Sequence, residues 1–246
     1  MFGSFTPPAA QEGDQLVGAV ATAAIKAMFQ STDSLAAQVR AFPVAKLLMG
    51  SLDGFDLKGK GLLMRNGLRI QQMDMKVQAI SLDIGAVFGG KVKLRRPTNG
   101  TIQVILTEVD LSHAFNTPFI VEKLQRMTLE GQSLNFKETK VQLLDGGLLH
   151  LSSSIAVGDG SYQPVSLRAC IRLEEGRRIL FTDPQYQEDG ASARIAQAVL
   201  GHLNSLLDLD KFKLDGVQLR IFRCDIRKGQ LVFHGSANIR HFPGSP

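Results

Sequence analysis

Few residues in this chain have the type and spacing to do chemistry, and most are better explained otherwise. Glu108 and Asp110 stand two apart and could form a carboxylate pair for acid–base work. They also follow Thr107 in Thr-Glu-Val-Asp, a capping box, and carboxylates in a first helical turn complement the helix dipole. Asp208 and Asp210 match half of a calcium loop, but the other ligands and the glycine in register are missing. His113, His150, His202, His234 and His241 lie far apart, so no metal site is expected. Cys170 and Cys224 fall in separate strand patterns and read as reduced, structural thiols. No nucleophile elbow, phosphate loop, dinucleotide fingerprint or paired-cysteine zinc spacing occurs. The expectation is a protein with no catalytic residues, cofactor or metal.

The one concentrated chemical feature is basic. Between Leu57 and Arg96 there are nine Lys or Arg against Asp74 and Asp83. That excess ends in Lys91-Val-Lys-Leu-Arg-Arg, where alternation puts Lys91, Lys93 and Arg95 on one strand face and Val92 and Leu94 on the other, with Arg96 closing the run. Two readings stand for this ribbon. It is a solvated or charge-protected edge, or it is a patch for anionic lipid headgroups. Nucleic acid is disfavoured, because the cations lack interleaved aromatics and no recognised module surrounds them.

The elements that must position these residues are mainly strands. With 44% hydrophobic and 21% charged residues, the composition is that of an ordinary globular protein. Residues 1–13 read as a flexible tail and 14–243 as a single α+β domain. Two helices are expected early: one from Asp14 to Phe29, with Leu16, Val20, Ala24 and Met28 at helical spacing, and a second from Ser34, with Leu35, Val39 and Phe42 on one side and Pro43 ending it. From Phe55 the period becomes two. Asn66-Gly67 marks a hairpin, and the strand after it changes apolar phase twice, from Leu68 and Ile70 to Met73, Met75 and Val77, then to Ile80, Leu82 and Ile84.

Short helices are expected from Thr107 and over Phe119–Met127. Further hairpins turn at Asp145-Gly146-Gly147, Asp159-Gly160 and Glu175-Gly176, and a last helix from Ser192 carries Ile195, Val199, Leu203, Leu206 and Leu207 inward. The chain closes in a hairpin turning at Lys228-Gly229, with a one-residue slip near Phe222-Arg223. Repeated slips argue for a strongly curved antiparallel sheet wrapping amphipathic helices.

Three segments carry a family resemblance. Leu106-Thr-Glu-Val-Asp-Leu-Ser-His-Ala-Phe, Phe212-Lys-Leu-Asp-Gly-Val-Gln-Leu and Gly229-Gln-Leu-Val-Phe-His-Gly-Ser-Ala occur in the order and spacing of the bacterial LmeA-like phospholipid-binding family, which the chain resembles from about Leu16 to Pro243. The resemblance implies phospholipid as ligand, no established catalytic set, and a tubular lipid-binding-like shape. The family's actinobacterial branch is exported. This chain shows no basic segment followed by an apolar one at its start, so the expectation is a cytoplasmic protein, peripheral on the inner or an internal membrane.

On this reading the protein binds anionic phospholipid at a membrane surface, as a lipid transfer or sensing protein. Lys91, Lys93, Arg95 and Arg96 would hold the headgroup, and Val20, Ala24, Met28, Met73, Met75, Val199 and Leu203 would touch acyl chains. The alternatives are a protein–protein interaction module with a basic sheet face, its partner unknown, and an enzyme built on Glu108 and Asp110.

Overall fold

Two antiparallel sheets dominate the computed structural model, which describes residues 22, 23, 25–27, 29–43, 45–83, 85, 86, 93–186, 190–211, 216–227 and 229–241. The 1–13 tail and most of the first expected helix lie outside these residues. A seven-stranded sheet contains β1 (Phe29–Ser31), β2 (Ser34–Arg40), β3 (Ser51–Met64), β4 (Arg69–Ser81), β5 (Thr98–Thr107), β11 (Val217–Arg227) and β12 (Gln230–Ile239). Its order is β1-β3-β4-β5-β12-β11, with β2 also paired to β3. A five-stranded sheet runs β10-β9-β8-β7-β6, built from β6 (Thr128–Leu129), β7 (Gln132–Leu144), β8 (Leu148–Val157), β9 (Gln163–Glu174) and β10 (Arg178–Tyr186). The helices include α1 (Ala45–Leu48), α2 (Glu108–Phe115), α3 (Pro118–Gln125) and α4 (Gly190–Leu206); residues 22, 23, 25 and 26 are also helical, as expected for the first helix.

The hairpin signals hold. Asn66-Gly67 turns β3 into β4, with Gly67 at φ 85° and its amide donating to the Met64 carbonyl. Asp145-Gly146-Gly147 joins β7 to β8 and Glu175-Gly176 joins β9 to β10. The apolar phase changes in β4 are present, and β3 makes them too. Leu62 pairs Ile70, Gly59 and Leu57 pair Met73 and Met75, Phe55 pairs Val77, and Leu52 pairs Ile80. Both strands change face together, so their register is the same from end to end. The breaks coincide with positive φ at Gly61 (57°) and Ala79 (53°), which turn the following side chains to the other face.

In β11 the slip is instead an inserted residue. Ile221 pairs Gly235 and Arg223 pairs His234, which leaves Phe222 as a bulge. A bulge in β7, between the pairs Lys137–Ser154 and Lys140–Ser152, holds Glu138 at φ 54°. The Asn116 side chain, just past α2, satisfies that bulge by accepting from the Thr139 amide (3.1 Å) and donating to its carbonyl (2.8 Å).

Two expectations fail here. The second helix, expected over 34–42, is strand β2, and Phe29 lies in β1. Leu35 and Val39 sit four apart and suit a helix, but Leu35, Ala37 and Val39 also alternate with exposed neighbours, and pairing with β3 from Ser34–Lys60 to Arg40–Gly54 selects the strand. The basic ribbon is not a continuous strand among the described residues. It makes one bridge, Leu82 to Leu94.

The apolar interior forms two clusters. The first lies where α2 and α3 cover β7 and α4 covers β9 and β10, and it includes Leu124, Leu134, Leu151, Ile155, Leu167 and Ile195. The second collects Val39, Phe55, Leu57, Val77 and Ile80 from β2–β4, with Ala237 and Ile239 from β12. Strand β12 serves both: Leu231 belongs to the first, Ala237 and Ile239 to the second.

Candidate lipid-binding surface

At one end of the seven-stranded sheet the chain returns from β4 toward β5 past a row of cations. The Asp83 amide donates to the Lys93 carbonyl and the Arg95 amide to the Ser81 carbonyl, both at 2.8 Å. These bonds bury Leu94 against the second cluster and leave Lys93, Arg95 and Arg96 exposed. Among the described residues none of the three has a carboxylate within salt-bridge distance. Arg40, Lys46 and Arg220 differ, being paired with Asp56, Asp53 and Asp210. Three uncompensated cations within four residues attract an anionic surface by about 1 kcal/mol each. Lys91 lies outside the described residues.

The residues expected to touch acyl chains do not come together. Val20, Ala24 and Met28 lie outside the described residues. Met73 and Met75 are half-buried on β4 against the second cluster, while Val199 and Leu203 are buried in the first. Helix α4 packs on β9 and β10, which places its apolar face in the first cluster, whereas Leu94 of the ribbon packs in the second. A cleft of about 490 Å³ beside α4 is lined by Arg126, Thr128, Gln197, Gly201, His202 and Ser205, with Met127 and Ala198. Its lining is mainly polar, and it adjoins the first cluster, away from the ribbon.

The carboxylates weighed for catalysis are occupied. Thr107 caps α2: its hydroxyl accepts from the Asp110 amide (3.1 Å), and the Asp110 carboxylate accepts from the Thr107 amide (2.9 Å). The Asp110 carboxylate, almost wholly buried, also takes a charged hydrogen bond from Arg69 (2.6 Å), which holds the guanidinium pKa above its usual value. Glu108 accepts from the Leu143 amide at 2.5 Å and ties α2 to β7. Both are structural. No group of His, Cys, Asp and Glu among the described residues could hold a metal.

His150 lies between Gln142 (2.9 Å) and Ser166 (2.8 Å), its pKa lowered by burial and then by Arg168. Both cysteines are free, and burial pushes the Cys224 thiol up to about 12. No helix among the described residues is long and apolar enough to cross a membrane.

Sequence reasoning passed over one apolar group. Phe42, Leu48 and Met49, between β2 and β3, are exposed, and their loop adjoins the ribbon. Phe-Pro followed by Leu-Leu-Met-Gly read as the end of a helix; the signal available was an apolar cluster inside a turn.

The segments carrying the family resemblance are joined through β12, two of them touching opposite ends of that strand. Thr107 pairs with Gln230, and the Glu108 amide donates to the carbonyl of Gly229, whose φ is 71°. Farther along β12, a Cβ on Gly235 would overlap the Arg220 carbonyl oxygen beside the β11 bulge. Val217 to Leu219 open β11, and residues 212–215 lie outside the described residues. The first motif, at the β5–α2 junction, and the second, at the start of β11, therefore contact opposite ends of the third, which is β12. No curated protein and no solved structure matches the chain. The LmeA-like phospholipid-binding family matches residues 10–236 of the 246, and the chain belongs to that family.

Proposed function

We propose that this protein binds anionic phospholipid at a membrane surface, as one domain over residues 14–243 and without catalysing a reaction. The observation that carries the reading is the ribbon: Lys93, Arg95 and Arg96 stand exposed and without carboxylate partners around buried Leu94, at the edge of an apolar cluster, in a chain of a phospholipid-binding family. Lys91 completes the headgroup contact in this reading. Acyl chains would lie against the Met73 and Met75 side of β4, together with the segment holding Val20, Ala24 and Met28. Val199 and Leu203 then serve the fold. Bulges and positive-φ residues in long strands support curved sheets forming a tubular shell. Two free thiols suit a reducing compartment, and hence a cytosolic membrane face.

The test is co-sedimentation with phosphatidylglycerol and phosphatidylcholine vesicles across a salt series, together with native mass spectrometry for co-purified lipid. Binding to phosphatidylglycerol that weakens as salt rises is the expected result. Equal binding to both vesicles would remove the headgroup assignment, and no binding to either, with no lipid in the mass spectrum, would remove the reading.

A further inference from the structure

Phe42, Leu48 and Met49 are 81%, 73% and 70% exposed, three large apolar side chains within eight residues. Other large apolar residues exposed among the described ones, Val109, Tyr162 and Phe222, stand singly on separate elements. Single exposed apolar residues are ordinary, whereas a cluster on one loop marks a contact surface.

The loop is also held in place. The Asp53 carboxylate accepts from the Phe42 amide (2.7 Å) and from Lys46 Nζ (2.6 Å), and the Lys46 ammonium, with the Phe42 amide, keeps its pKa below the usual carboxylate value. The Gly50 carbonyl accepts from the Leu82 amide at 2.6 Å, and Leu82 bridges to Leu94. Strand rows lie about 4.8 Å apart, so the loop's last residue is about 10 Å from the centre of the basic ribbon. Arg40 and Lys46 are neutralised by Asp56 and Asp53, which leaves Lys93, Arg95 and Arg96 as the uncompensated charge beside the loop.

We propose that the 41–50 loop is a docking tip that inserts Phe42, Leu48 and Met49 into the boundary between headgroups and acyl chains of an anionic bilayer, while Lys93, Arg95 and Arg96 engage phosphates around it. The pairing of an apolar tip with flanking cations selects a bilayer, because insertion and charge attraction are both satisfied only there. The inference rests on the phospholipid-binding reading and adds to it how the protein meets its lipid.

The experiment compares wild type with the triple variant Phe42→Ser, Leu48→Ser, Met49→Ser on two probes: phosphatidylglycerol vesicles, and short-chain phosphatidylglycerol below its micelle concentration. The three side chains pack little, so the thermal transition should not move. Vesicle affinity should fall roughly tenfold for each side chain removed, with short-chain binding unchanged. Triple-variant sedimentation equal to wild type would overturn the docking tip and leave the lipid reading standing. So would a wild type that binds the short-chain lipid and not vesicles. A wild type that binds neither probe would overturn both. A wild-type dimer that becomes monomeric in the triple variant, with vesicle binding unchanged, would assign the loop to self-association.

Because the chain contains no tryptophan, Phe42→Trp gives a single tryptophan that can be excited selectively over the two tyrosines. Its emission should shift to the blue on vesicles and be quenched by lipids brominated along their acyl chains. Unchanged emission from vesicle-bound protein would overturn the proposal.

Discussion

Arg69 on β4 reaches Asp110 on α2, with Nη1 2.6 Å from the carboxylate, and this ion pair ties the seven-stranded sheet to a helix that rests on the five-stranded one. Arg69 is one-third exposed, while Asp110 is nearly inaccessible. Removing the cation would leave a buried carboxylate with only the Thr107 cap to satisfy it. Arg69→Met should therefore destabilise the fold by about 3 kcal/mol, measured by urea unfolding. Asp110→Ala should cost about 1–3 kcal/mol, since the Thr107 amide and Arg69 lose their acceptor while the Thr107 hydroxyl still caps the helix.

Two glycines should respond in opposite directions. Gly235→Ala places a methyl group into the Arg220 carbonyl and should cost about 2 kcal/mol, read as a lower thermal midpoint. Gly201→Ala, on an exposed turn of α4 with open space around it, should raise stability by about 0.5–1 kcal/mol.

The ribbon has its own test. Lys93→Gln, Arg95→Gln and Arg96→Gln together should weaken binding to phosphatidylglycerol vesicles by at least about tenfold at low salt and flatten its salt dependence. Circular dichroism should be unchanged, because none of the three side chains is buried.

His150 gives a pH signature. Its folded pKa is lowered from 6.5, so the unfolded chain takes up its proton first as pH falls. The His150 contribution is fully present above pH 6.5 and is lost as pH drops through the lower folded value. His150→Gln, which can still hydrogen-bond Gln142 and Ser166, should flatten the stability curve between about pH 7 and 5 in thermal melts.

What the chain disclosed about itself depended on range. The Thr107–Asp110 box, the Asn66-Gly67 turn and the Phe222 slip are local chemistry, and each stands in the fold as its residues implied. The β3–β4 phase changes were half legible: the alternation of β4 showed them, but only pairing shows β3 changing face at the same places. Strand β2 was hidden because Ala37 is a weak marker of alternation and because β3, its partner, decides the outcome. The candidate site was less legible. Lys93, Arg95 and Arg96 were visible as charge, but the apolar loop beside them is brought there by Gly50 and Leu82, a proximity that no spacing encodes.

Strand β12 gives one end to each hydrophobic cluster and is hydrogen-bonded along both flanks, to β5 and to β11. One strand thus backs two interiors, and whatever loosens one end of it is felt at the other.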